Sequence, residues 1–471
     1  MKSNLNSLII TALAILTIQI PVKAEDLPPN LVTELPSVTQ EEIKIQEQDK
    51  IKEQDDEIIS LIKSGIEENQ YMSLEKCLQI AIANNPVIKS AISSAEVYQH
   101  RIGKAKAGYF PRFNLSNGYS VANAPVISST DPNVNSFNIV NIGVSQLLFD
   151  FGKTSTNVDI QKTNFSAKEE DLKTEINQTI FNVKEAYFKL LFAFHQQEVM
   201  EESVEQFEQL LSQAKSFYEV GSKPKIDVMT AEVNLSNSQL ALIKATNIVN
   251  IAFASLNNTM GLPESPIYKL KDKLRFAEED YNFKELIQTA YNNRPDFKSA
   301  VLKVEASQKG INLAKKDYYP SIGGFSGFSL RNIDDDVSSA TDSGWNAGLS
   351  LDLPILNGYL VKKKINEATA SYDKECSDAQ ALKNNLYFQV KQTYMEFIES
   401  KKSVPTSEVA LKQSKENYDL AKGRYEVGVG NPIELKDAEL TYRNAKLAYF
   451  NTLYDYNVAL AKLENVIGSR F

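Results

Sequence analysis

The chain has 471 residues, 24% of them charged, and a formal net charge of -9, a balance that argues against a nucleic-acid partner. It holds only two histidines, His100 and His195, and neither stands near an acid or cysteine at metal-ligand spacing. No phosphate-binding glycine loop or nucleophile motif occurs, so no catalytic residue, metal or cofactor is expected and an enzyme is disfavoured.

The chain opens on Lys2, an apolar run over residues 8–20, and Val22-Lys23-Ala24. That is the order of a secretory signal peptide covering residues 1–24. The run is too short for a membrane-spanning helix, which needs about 20 residues, and no comparable run follows. Cys77 and Cys376 both lie far beyond it, so neither offers a lipid anchor at the new N-terminus. Export leaves a disulfide between them open, beside the plainer reading of two small core residues. Residues 25–70 form an acidic, flexible lead-in, where Glu41-Glu42 and Asp55-Asp56-Glu57 outnumber the lysines and Pro28-Pro29 and Pro36 break the start.

From residue 71 the sequence repeats itself at an offset of about 207–209. Asn85-Pro86 recurs as Arg294-Pro295, Tyr109-Phe110-Pro111 as Tyr318-Tyr319-Pro320, Tyr218-Glu219-Val220-Gly221 as Tyr425-Glu426-Val427-Gly428, and Gly261 as Gly468. Residues 71–261 are therefore one structural repeat and 282–471 the other, joined by a connector over 262–281 that carries Pro263 and Pro266.

Each repeat reads as helix, two strands, long helix, turn, shorter helix. Residues 111–122 alternate Phe113, Leu115, Tyr119 and Val121 with Arg112, Asn114, Ser116 and Ser120, the period of a strand with one apolar face. A second strand covers 138–151, with Val140, Ile142 and Val144 on one face. Residues 320–331 and 345–355 repeat the pair, the former weakened by three glycines, the latter setting Trp345, Ala347, Leu349 and Leu351 against Asn346, Gly348, Ser350 and Asp352. Residues 153–220 contain neither Gly nor Pro, and Leu172, Ile176, Ile180, Val183, Tyr187, Leu190 and Phe194 keep one stripe. Such a helix measures about 100 Å, too long for one globular core, and belongs in a coiled coil or a wall of helices. Its counterpart, 359–427, contains Pro405, which should kink or interrupt it.

Four strands cannot close into a barrel, whereas outer-membrane barrels begin at eight. A homotrimer supplies twelve with no free edge and is the smallest symmetric assembly that clears the threshold, although the sequence also permits two or four copies. The apolar faces would meet outer-membrane lipid. The competing reading is a soluble sheet packed on helices, in a non-membrane periplasmic coiled-coil structural or adaptor protein.

Ser73-Leu74-Glu75 leading to Asn84-Asn85-Pro86, Tyr109-Phe110-Pro111 before a strand, Leu353-Pro354-Ile355-Leu356-Asn357-Gly358 after one, and Tyr425 through Gly428 followed by residues 433–438 form a set, partly in duplicate. In these features residues 71–471 resemble the TolC-like outer-membrane efflux proteins. The resemblance implies a mainly α chain in a trimeric 12-stranded β-barrel, continued by a long periplasmic α-helical barrel. It implies an exit duct for drug efflux or type I protein secretion, served by a periplasmic adaptor and an inner-membrane pump or ABC transporter.

The two helix turns, 221–224 and 428–432, are the candidate periplasmic gate, since glycine ends one helix and proline opens the next. An acid just past a turn is also what a helix dipole favours. The resemblance nevertheless assigns Glu434 and Asp437 to an acidic ring at the entrance, and Asp227 and Tyr425 to the network holding it shut. It implies adaptor docking at Val220, Gly221, Val427 and Gly428. The arginine of that network is absent, Gly430 standing where it would fall, so the closed state is held either by other cations such as Lys223 or Lys225 or less tightly. Ser222 also departs from the bulkier residue common there.

Overall fold

The computed structural model describes residues 71–123, 134–262, 268–334 and 339–469. The signal peptide, the lead-in, most of the 128–135 loop, both connector prolines and Asp335-Asp336 lie outside them. The first repeat comprises β1 (Tyr71–Met72), α1 (Leu74–Asn84), α2 (Pro86–Lys106), β2 (Arg112–Asn123), β3 (Val134–Phe149), α3 (Lys153–Glu219) and α4 (Lys225–Met260). The connector holds β4 (Lys269–Leu270), and the second repeat comprises α5 (Phe283–Asn293), α6 (Pro295–Lys315), β5 (Ser321–Asp334), β6 (Ser339–Asp352), α7 (Leu360–Glu426) and α8 (Pro432–Ile467). Helices of 11, 21, 67 and 36 residues recur in the same order and at the same lengths, so a complete set of elements was duplicated.

Several boundaries differ from the sequence reading for backbone reasons. β3 ends at Phe149 rather than 151 because Phe151 and Gly152 take φ of 54° and 78°, outside the extended region. The other repeat makes the same left-handed pair from Gly358 and Tyr359, at 60° and 64°, with the glycine in the opposite place. β6 starts earlier, at Ser339, and stops at Asp352, ahead of the Leu353-Pro354 step that cannot continue a ladder. Pro405 does not interrupt α7. It removes a single N–H from a 67-residue helix, and Phe397 and Val404 beside it are wholly buried. Cys77 and Cys376 are both free, not disulfide-bonded.

The chain divides into two compact units. One runs to Ile88 and resumes over Gln178–Glu279 and Glu396–Lys462; the other takes Lys89–Asn177, Asp280–Met395 and the residues from Leu463. The expected stripe of α3 is its buried face: Ile176, Ile180, Val183, Tyr187 and Leu190 are all covered.

In the first unit β1 pairs in parallel with β4, which lies within the 262–281 connector, so the connector folds back on the start of the first repeat. Asp272 ties this corner, its Oδ2 accepting from the Leu74 N–H and lying 2.8 Å from the Tyr187 hydroxyl. Burial, reinforced by the Asp272 charge, pushes the neighbouring Cys77 thiol up to about 12, so it stays protonated and inert.

The second unit holds the four-stranded antiparallel sheet, in the order β2-β3-β5-β6. One face sets Leu115 opposite Ile142, Phe328 opposite Trp345 and Gly324 opposite Leu349; the other sets Asn114 opposite Gly143, Gly327 opposite Asn346 and Arg331 opposite Asp342. Phe113, Tyr119 and Trp345 stand on the apolar face, each more than 70% exposed. Phe325 breaks the alternation by sitting on the polar face, its ring over Gly348. β2 and β6 each have one edge without a partner strand among the described residues.

Each repeat also builds the same joint where its 36-residue helix ends. Gly261 caps α4 at φ 75° and packs on the Asn84 and Asn85 backbone, while Asn85 Nδ2 donates to the Thr259 carbonyl at 2.8 Å. At the equivalent place Gly468, at φ 67°, packs on Arg294, whose Nη1 donates to the Val466 carbonyl at 3.2 Å. The residue before each proline thus satisfies a carbonyl in the last turn of a helix, which has no partner of its own.

Candidate gate and docking turns

Both turns belong to the first unit and share one hydrogen-bond plan. The Ser222 and Lys223 N–H groups donate to the Phe217 carbonyl, and the Val429 and Gly430 N–H groups to that of Arg424. Gly221 and Gly428 take the left-handed conformation, φ 75° and 82°, that lets each helix end. Gly221, Gly428, Val220 and Val427 are exposed, the valines at 77% and 74%, with Val429, Ile226 and Ile433 adding apolar surface around them.

The closing bonds explain why an arginine cannot stand at 430. The Gly430 N–H reaches the Arg424 carbonyl at 2.8 Å, against 3.3 Å for Lys223 in the other turn. A Cβ on Gly430 would lie 2.6 Å from the Tyr425 nitrogen, so the tighter turn admits no side chain. A cation does stand near by in the last turn of α7, where Arg424 pairs with Glu434 at 3.2 Å.

Tyr425 is buried among Tyr418, Ala421, Leu435 and Ala438, with Phe217 of α3 edge-on to its ring at 6.2 Å. Burial raises its hydroxyl above the usual range and the negative charge of Asp227 adds to the shift. Asp437 is exposed and its carboxylate has no partner among the described residues. Of the four acid and hydroxyl positions beside the turns, Glu434 pairs with Arg424, Tyr425 feels the charge of Asp227 without a hydrogen bond to it, and Asp437 has no partner among the described residues.

Two groups of this region escaped the sequence reading. Arg424 stands ten residues before Glu434, and only the turn brings them together. Glu439 is buried on α8: its Oε1 accepts from the Ser203 hydroxyl at 2.9 Å and lies 3.6 Å from Arg443, while Oε2 has no partner. Its signal was available, because 435, 438, 439 and 442 lie on one helical face. Burial raises the Glu439 carboxyl above its ordinary 4.5, outweighing Arg443 and Ser203. A carboxyl raised on folding contributes stability fully below its unfolded value and loses it as pH rises through its folded one. Glu439→Gln is therefore expected to raise the melting temperature at pH 8 and to converge with the parent as pH falls below the ordinary 4.5. A difference independent of pH would remove titration from the explanation.

His195 stacks on Phe450 with ring centroids 4.1 Å apart and hydrogen-bonds Glu198, a packing role between helices. Among the described residues no group of three His, Cys, Asp or Glu side chains is placed to hold a metal.

A family model described as outer membrane efflux protein matches residues 77–262 and 286–469, one stretch in each repeat. The outer membrane protein TolC of Escherichia coli (strain K12) is 20% identical over 430 residues, covering 88% of this chain and 85% of that protein. Protein CyaE of Bordetella pertussis is 22% identical over 379 residues, covering 80% and 79%. Among solved structures, the Campylobacter jejuni CmeC outer membrane channel superposes with a TM-score of 0.69 at 19% identity, covering 84% of this chain and 85% of that one.

Proposed function

This chain belongs to the outer membrane efflux protein family, and we propose from that premise that three copies close one pore through the outer membrane and that the two helix turns gate it. As a family member it is an outer-membrane channel for efflux of small molecules or type I protein secretion, and the family is one of channels rather than enzymes. Family channels form trimers that work with adaptors and pumps.

The observation that carries the reading is the sheet with an apolar face and two unpaired edges. In water those edges would recruit other strands; in a ring of twelve they pair β6 of one copy with β2 of the next. A second surface supports self-association. α4 exposes Ile226, Met229, Val233, Leu240 and Ile243 at three-, four- and seven-residue spacing. By length and composition α4 could also cross a membrane, but Asp227, Glu232 and Lys244 along it suit a stave packed on another helix. A non-membrane coiled coil would leave the apolar sheet face without a purpose.

In this reading Glu434 and Asp437, three copies each, ring the periplasmic entrance, and Tyr425 with Asp227 secures the closed form. The exposed valines and glycines of both turns receive a periplasmic adaptor hairpin, which joins the channel to an inner-membrane pump or ABC transporter. The test is to fractionate and cross-link cells producing the protein, then delete its gene. A trimer in the outer membrane, with dye sensitivity or lost protein export on deletion, is the expected result. A water-soluble monomer stable without detergent would refute it.

A further inference from the structure

A basic hollow lies in the second unit where the sheet gives way to helices. It has a volume of about 390 Å³ and is lined by Lys309, Asn312, Lys315, Lys316 and Tyr319 from one side and Thr156 and Asp159 of α3 from the other. The charges in it are not internally balanced. The half-buried Lys316 ammonium is held only by neutral oxygens, the Gly152 carbonyl at 2.9 Å and the Thr156 hydroxyl at 2.7 Å. Asp317, next in the chain, cannot neutralise it, being occupied by Lys153 and Lys364. Lys315 is exposed with no partner among the described residues. Lys309 pairs with Glu305 and bonds Thr163, while Asp159 pairs with Lys162.

The surroundings indicate which side the hollow opens on. The Tyr319 ring stacks on Phe151 at 5.4 Å, and Phe151 meets Phe149 edge-on at 4.7 Å. Phe149 pairs with Ile322 at the end of the strands. Moving off the sheet, the order is apolar face, exposed aromatics, then cations, which is the sequence of environments across a membrane–water boundary.

We infer that this hollow binds a phosphate group, ligated by Lys309, Lys315 and Lys316 with Asn312, while the Thr156 hydroxyl, which donates to the Gly152 carbonyl, serves only to hold Lys316. A tetrahedral anion suits three ammonium groups because they act as separate point donors around it. The phosphate is borne by an anionic lipid headgroup or is free in solution. Its position beside a membrane rests on the channel reading; the phosphate chemistry does not. The other repeat lacks the site, since Ala107 and Phe110 stand where Lys316 and Tyr319 would be, so one site per chain is expected.

The test uses the full chain purified in neutral detergent. Native mass spectrometry counts retained phosphatidylglycerol against phosphatidylcholine, and ³¹P NMR follows binding of inorganic phosphate. Phosphatidylglycerol should be retained over phosphatidylcholine. At about fivefold per lysine near an anionic headgroup, Lys315→Gln should weaken retention about fivefold and Lys315→Gln with Lys316→Gln about thirtyfold. Lys315 supports no other group, so its single variant reads binding rather than folding. If inorganic phosphate also binds and Lys315→Gln weakens it equally, free phosphate is a ligand; if only the lipid binds, the headgroup is the source. Equal retention of the two lipids, or retention unchanged by Lys315→Gln, overturns the site. A parent protein that binds phosphate but shows no channel activity in bilayers would instead count against the channel reading.

Discussion

Gly261→Ala is expected to destabilise the protein by about 2–4 kcal/mol, a large share of a typical folding free energy. A left-handed backbone costs a residue with a Cβ about 1–2 kcal/mol. The new methyl would then lie 3.0 Å from the Asn84 carbonyl oxygen and 3.1 Å from the Asn85 Cα, and backbone on that side has no rotamer with which to retreat. Overpacking of this kind adds about 1–2 kcal/mol. Gly468→Ala repeats the experiment where the nearest backbone atoms are at 3.2 Å, and should cost somewhat less. Thermal unfolding in detergent by circular dichroism measures both. A melting temperature unchanged in Gly261→Ala would mean that the joint relaxes freely, contrary to the packing described.

Glu434→Gln combined with Asp437→Asn is expected to weaken block of single channels by multivalent cations about tenfold, because in the proposed gate three copies of each acid would concentrate cations at one constriction. The two acids should not contribute equally. Glu434 already holds Arg424 at 3.2 Å, whereas Asp437 is exposed and unpaired among the described residues, so Asp437→Asn alone should carry most of the change. Conductance recorded in planar bilayers with added trivalent cation decides it. Block of the double variant at the parental concentration would remove these residues from the entrance.

Wherever burial alone selects the residues, the sequence disclosed the structure. Ile180, Val183, Tyr187 and Leu190 recur at helical spacing because one side of α3 is covered throughout. Trp345, Ala347, Leu349 and Leu351 alternate because β6 separates two environments. β5 was fainter for a physical reason: its glycines leave gaps in the pattern, and Phe325 occupies the polar face by covering Gly348. The gate was half legible. Asp227 and Tyr425 are named only through the family resemblance, and the pairing of Glu434 with Arg424 depends on how closely one turn is wound. That closeness is written in the sequence only as a glycine at 430, which reads equally well as a lost arginine.

The unpaired borders of β2 and β6 reach beyond the architecture of a single copy. A wall completed only by neighbours makes insertion and assembly a single event, since lipid has no use for a fraction of a ring. Damage is then shared: a polypeptide that folds but spoils one border wastes the sound ones it joins, and with random mixing the yield of working pores falls as the cube of the sound fraction. Inheritance of such a lesion in a cell carrying both versions would be dominant.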